Sequence, residues 1–322
     1  MYLDIDTPIG EGFDSPEDLR AAIAEISKHT EGRGEQLNWA NHLKLLTADL
    51  SVEASAEESA SDRTEDDSED ADDDDAELSE AGSVAPSDDE EDDCSCNDAN
   101  VRNFSHNDRQ LRLTTESETP DCCHYIAVSD CWTSTGRAPH AGEPFTLHTN
   151  HDPPRPPSCP SSLLDRVIQT ASGKQVSLIW IDQECIDQSD PQDKNVGIQS
   201  MNLVYQRASY GLAVLEATIT DQRHLTALSE LLENNVEMDD REMIRDVCEA
   251  LKIVMSDQWF ERAWYLQESV SGNRQMRLVV RCSEDLEVPD LLGSAVTGCF
   301  EMGLSELHHT IVSSLGLHLD QV

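Results

Sequence analysis

The chain has 322 residues and a formal net charge of −43, from 22 Lys and Arg against 65 Asp and Glu. That balance leaves no basic face for direct nucleic-acid binding, and no run approaches the roughly 18 apolar residues of a membrane span. Hydrophobic residues make up 38%, below the globular average, so part of the chain is expected to lie outside any core.

Met1 to Gly12 is acidic and has neither a basic nor an apolar leader region. The ten cysteines then read as free thiols of a reducing compartment. The expected location is the cytoplasm, with the nucleus as the alternative.

In chain order, Ser15-Pro16-Glu17-Asp18 has the composition of a helix start, and Leu19, Ala22, Ile23 and Ile26 follow at helical spacing. A second short helix is predicted from Glu35 to Leu46, with Leu37, Leu43 and Leu46 as its apolar positions. Between Glu53 and Asp93 there are 21 acidic residues and one basic one, Arg63. This stretch carries −20 of the −43, which leaves −23 on the other 281 residues. Residues 51–100 hold no aromatic residue and too little apolar surface to offset the entropy of ordering. They are expected to form a disordered acidic insert, with Ser68, Ser79 and Ser87 as acidophilic kinase candidates.

Beyond residue 120 the pattern becomes α/β. Tyr125 to Ser129 is a short buried-strand run, and the proline-rich stretch Thr133 to Pro160 reads as loop. Ser161 is placed as the cap of a helix with Leu163, Leu164, Val167, Ile168 and Ala171 on one face, stopped by Gly173. Val176 to Ile181 is the next strand. Asp190-Pro191 opens a helix whose stripe is Ile198, Met201, Val204, Tyr205 and Ala208. A third strand is predicted at Gly211 to Leu215, helices around Leu225–Leu232 and Ile244–Met255, and a terminal strand at Gln275 to Cys282. A further helix is placed near Val296 to Met302. Buried strands alternating with helices imply a doubly wound, mostly parallel sheet with right-handed crossovers.

In such a sheet, ligands lie beyond the carboxyl ends of the strands. Those ends hold Ser129-Asp130-Cys131-Trp132 and Asp182-Gln183-Glu184-Cys185. The plainer reading has Asp182 capping the following turn and Ser129 bonding local backbone. Cys94, Cys96, Cys122, Cys123 and His124 lack the paired spacing of a structural zinc site. Cys185 follows a buried strand and is read as an inert thiol. No dinucleotide-binding, Walker A, nucleophile-elbow or zincin motif is present.

The same residues carry a family resemblance. Tyr125-Ile-Ala-Val-Ser129-Asp130-Cys131-Trp132 resembles the opening motif of heterokaryon-incompatibility (HET) domains, Tyr-x-x-Leu-Ser-Tyr-x-Trp-Gly. Ile179-Trp180-Ile181-Asp182 through Cys185-Ile186-Asp187-Gln188 resembles their second motif, Trp-Ile-Asp-x-x-Cys-Ile-Asn-Gln. Arg262-Ala263-Trp264-Tyr265-Leu266-Gln267-Glu268 resembles the third, Arg-x-Trp-x-x-Gln-Glu. Asp130, Thr133 and Asp187 depart from the family's Tyr, Gly and Asn.

HET domains are fungal self/non-self recognition modules that resemble TIR domains, whose fold is TIR/flavodoxin-like and some of which cleave NAD. The resemblance implies Glu268 as the catalytic carboxylate, in a Trp264-x-x-x-Glu268 helix. It places Ser129, Asp130, Trp132, Asp182, Gln188, Arg262 and Trp264 around the ligand rim. A carboxylate suits that reaction because nicotinamide–ribose cleavage builds oxocarbenium charge. The competing expectation for Glu268 is an ion pair with Arg262 and no chemistry. NAD enters only as a substrate, with no resident cofactor and no metal. The implied partners are proteins, including further copies of the chain. The expected organisation is a helical N-terminal arm (1–50), an acidic linker (51–100), the HET domain (101–282) and a C-terminal extension (283–322).

Overall fold

A computed structural model of the chain describes residues 33–49, 101–115, 124–131, 144–149, 153–236, 239–262 and 276–315. The predicted helix after Ser15, the acidic stretch and its serines lie outside the described residues. In chain order the elements are helix α1 (Arg33–Ala40) and strands β1 (Leu46–Ala48), β2 (Gln110–Leu113), β3 (Ile126–Ser129) and β4 (Thr146–His148). Helix α2 (Ser161–Gly173), β5 (Ile179–Ile181), the short α3 (Asp182–Cys185), α4 (Pro191–Arg207) and β6 (Tyr210–Ile219) follow. The described chain closes with α5 (Gln222–Leu232), α6 (Arg241–Met255), β7 (Met276–Cys282), β8 (Cys299–Gly303) and α7 (Leu304–Leu315).

One eight-stranded sheet runs β4-β2-β1-β5-β3-β6-β7-β8. Its centre, β5-β3-β6-β7, is parallel throughout. The strands β1 and β8 flank this centre in antiparallel pairing. The central strands are buried on both faces, as an all-apolar run demands. Trp180 is fully buried and packs edge-on against Tyr205 of α4, with ring centroids 6.0 Å apart. Tyr125 and Tyr205 donate their hydroxyls to the Val204 and Val128 carbonyls, which locks α4 to β3.

Helix starts follow local chemistry. Asp190 accepts from the Gln192 N–H ahead of Pro191, Asp221 from Arg223, and Asp240 from Glu242 and Met243. Ser161 does not cap α2: Pro160 occupies that position, and no side chain closes the helix end. Gly173 is the last residue of α2, and Gln175 takes the left-handed backbone, with φ 55°. On α4 the buried stripe is Val196, Gly197, Ser200, Met201, Val204 and Tyr205, one position round from the predicted Ile198.

Four predictions fail on non-local pairing. The helix expected from Glu35 to Leu46 ends at Ala40; Leu46 instead pairs with Ile179, and β1 enters the sheet. Leu43, Leu45 and Leu46 are all buried, a short apolar run that periodicity alone does not assign to helix or strand. Within the stretch read as loop, β4 pairs in parallel with β2. Gln275–Cys282 does contain a strand, β7, but β8 follows it. The helix placed at Val296–Met302 is replaced by β8, antiparallel to β7, and helix begins only at Leu304. Residues on both sides of 101–282 therefore contribute to the same sheet.

Among the described residues no helix is long and apolar enough to cross a membrane.

Candidate functional site

The chain passes from β3 to β5 on one side of it and then to β6 on the other. A reversal of this kind opens a crevice beyond the carboxyl ends of the two strands at the switch, here β3 and β6. The end of β3 carries Ser129 and Asp130, both buried. Ser129 lies opposite Ala213, so β6 runs six residues further, to Ile219, without β3 beside it. Its register with β7 shifts between Val214 and Thr218, an irregularity of the kind that re-aims groups near functional sites.

The segment 257–262 fills this crevice. Asp257 is buried; its Oδ2 accepts from the Glu216 and Ala217 N–H groups at 2.7 and 2.8 Å, and its Oδ1 accepts from Trp259 N at 2.9 Å. One carboxylate thus caps the irregular stretch of β6 and starts the 3-10 turn Gln258–Glu261. Trp259, fully buried, donates its indole N–H to Ser129 Oγ at 2.6 Å. Arg262 donates to the Asp130 carbonyl. Trp259 and Arg262 thus dock the segment that leads into the third motif onto the end of the first, while Asp257 holds it to β6. Ser129 therefore bonds a side chain 130 residues away, beyond the local backbone contact that the plainer reading gave it.

The second motif shapes the neighbouring rim. Asp182 Oδ1 accepts from Gln183 N at 2.7 Å, and the Asp182 carbonyl accepts from Gln188 Nε2 at 3.0 Å. Both residues hold the turn after β5, but Asp182 does not cap it: Ile181 occupies the cap position of the short helix and no side chain closes that end. Glu184 stands in the run at the strand end that the sequence marks, without a role of its own there. Its side chain is fully buried and accepts from Ser158 N, from Cys159 N at 3.0 Å and from Arg155 at 2.9 Å, which fastens the proline-rich loop. Asp187, where the family has Asn, accepts from the Ser189 hydroxyl and N–H, and these bonds lower its pKa.

The thiols near the crevice are poorly suited to nucleophilic chemistry. Burial pushes Cys131 up to about 11. Cys185 is pushed up by complete burial, and its sulfur accepts from Ile181 N at 3.4 Å. Among the described residues no group of three or more His, Cys, Asp or Glu is placed to hold a metal. Cys94, Cys96, Cys122 and Cys123 lie outside the described residues.

A separate cleft of about 510 Å³ lies between α1 and the start of α4, lined by Trp39, His42, Lys44, Asp190 and Asp193 among others. Trp39 donates to Asp193 Oδ1 at 2.7 Å, and Asp193 Oδ2 accepts from Asp187 N at 2.7 Å. A Cβ at Gly197 would stand 2.8 Å from Ile186 Cδ1 and 3.1 Å from Trp39 Cζ2, so glycine permits this approach of α1.

The structure therefore brings Ser129, Asp130 and Arg262 together at the crevice and places Asp182 and Gln188 in the turn after the adjacent strand. Trp132, Trp264 and Glu268 lie outside the described residues. Comparison with known families matches residues 125–268 to the model described as heterokaryon incompatibility protein (HET). No curated protein and no solved structure matches the chain.

Proposed function

We propose that this chain, whose residues 125–268 match the heterokaryon-incompatibility (HET) family model, acts in fungal self/non-self recognition, triggering incompatibility or cell death through regulated self-association. The carrying observation is that the family match begins at β3 and ends beyond Arg262, so it encloses the whole crevice. An intracellular location, in cytoplasm or nucleus, fits the free cysteines. The partners of this reading are proteins, with no direct nucleic-acid contact.

A second reading is NAD cleavage by a TIR-like site, with Glu268 as its carboxylate. The strand order β5-β3-β6-β7 of the parallel centre supports it, because the reversal between β3 and β6 is where an open parallel sheet offers room for a ligand. So does the docking of Trp259 and Arg262 immediately before Trp264 and Glu268. One experiment separates the two. Purified full chain and its Glu268→Gln variant are followed for NAD loss and for concentration-dependent sedimentation, beside killing in a fungal host. The assembly reading expects association without NAD loss, with killing unchanged by Glu268→Gln. The hydrolase reading expects NAD loss and killing that both vanish in the variant while the fold survives. A chain that stays monomeric and leaves NAD intact while still killing contradicts both.

A further inference from the structure

On the irregular stretch of β6, Glu216 lies between two arginines. Arg166, from α2, donates to Glu216 Oε1 at 2.5 Å and to the Leu215 carbonyl at 2.5 Å. Arg281, from β7, reaches Glu216 Oε2 at 3.2 Å. The Arg166 side chain is only 6% exposed, whereas Arg281 and Glu216 are 36% and 37% exposed, so solvent reaches the carboxylate but not the guanidinium behind it. Among the described residues two guanidinium groups thus meet at this carboxylate. Burial lowers the Arg166 pKa, and the charge of Arg281 adds to that effect while Glu216 opposes it. Cys299 beside them supplies no counter-charge, because burial pushes its thiol up to about 11. Arg281 Nε is buried and makes no hydrogen bond among the described residues.

A carboxylate can hold two cations structurally, as Glu301 holds Lys174 and Arg277; what sets this cluster apart is that its second arginine is half-exposed and has an N–H left over among the described residues. A second arginine on the same carboxylate, with a buried N–H left over, is the donor arrangement that recognises a further oxyanion. The chain's net −43 opposes anions at long range, but −20 of it belongs to Glu53–Asp93, and salt screens charge beyond about 8 Å. We propose that Arg166 and Arg281 form a phosphoryl-binding site, with Glu216 as the displaceable internal anion that occupies it when no ligand is bound. The phosphoryl group is either free phosphate or the phosphate of a nucleotide. The proposal goes beyond both functional readings, neither of which assigns these residues.

The test is a titration of the full-length chain with inorganic phosphate at constant ionic strength, read by thermal shift and calorimetry, with AMP and adenosine as parallel probes. Wild type should show saturable stabilisation by phosphate. Glu216→Gln, which removes the competing charge, should bind about tenfold more tightly. Arg281→Gln, a half-exposed substitution, should lose the saturable response while melting close to wild type without ligand. AMP binding more tightly than phosphate, with adenosine silent, assigns the site to a nucleotide; equal affinities assign it to the free anion. A response that is linear in phosphate, or the same in all three proteins, overturns the proposal. These readouts depend on neither NAD loss nor assembly, so the site can fail while either functional reading stands.

Discussion

Trp180→Ala should destabilise the domain by about 3–5 kcal/mol, the range for removing a large buried aromatic from a core. Trp180 is fully buried in the middle of β5, between Ile126–Ser129 on one side and the Leu46 strand on the other. Its ring packs edge-on to Tyr205, whose hydroxyl in turn bonds the Val128 carbonyl. The truncation thus opens a cavity between the central sheet and α4. Trp180→Phe serves as the control. Among the described residues the buried indole N–H has no hydrogen-bond partner, so phenylalanine loses ring volume but also removes an unsatisfied donor, and it should cost about 1 kcal/mol or less. Urea unfolding of the three proteins checks both values; a negligible loss in the alanine variant would mean that β5 is not central.

Asp257→Ala should cost a comparable amount, about 3–5 kcal/mol, because it strands three N–H groups at once. Glu216 N, Ala217 N and Trp259 N all donate to this one carboxylate. Asp257→Asn keeps one acceptor oxygen and should recover part of the loss. The loss should also appear as faster amide exchange at residues 216 and 217, since no β3 residue is there to take over. Unchanged exchange at those two amides would show that the carboxylate does not close the crevice.

Much of the fold was legible in the sequence. Apolar runs marked β3, β5, β6 and β7, and Asp-Pro or a helical stripe marked α2, α4, α5 and α6, because those signals are local. What escaped depends on partners far away in the chain. The residues of β1 and β8 are short apolar runs whose strand character comes from pairing with Ile179 and with β7. Ser129 and Asp130 were marked by the end of the first strand and Arg262 by the resemblance, and the structure brings these positions together through Trp259 and Arg262. The parts played by Asp257 and Glu184 were not legible: one residue serves amides 40 and 41 residues earlier, the other a loop 25 to 29 residues earlier. Each is one acid among neighbouring polar and acidic residues, and nothing local marks which of them is buried.

The segment that leads into the third motif is docked on the first across the crevice, and a double-mutant cycle tests this most directly. Ser129→Ala, Trp259→Phe and the double variant each remove the buried 2.6 Å indole–hydroxyl bond, and chemical unfolding gives their stabilities. The predicted coupling energy is about 1 kcal/mol, the net worth of a buried hydrogen bond. Strict additivity of the two single losses would contradict the docking of residues 257–262 on the end of β3.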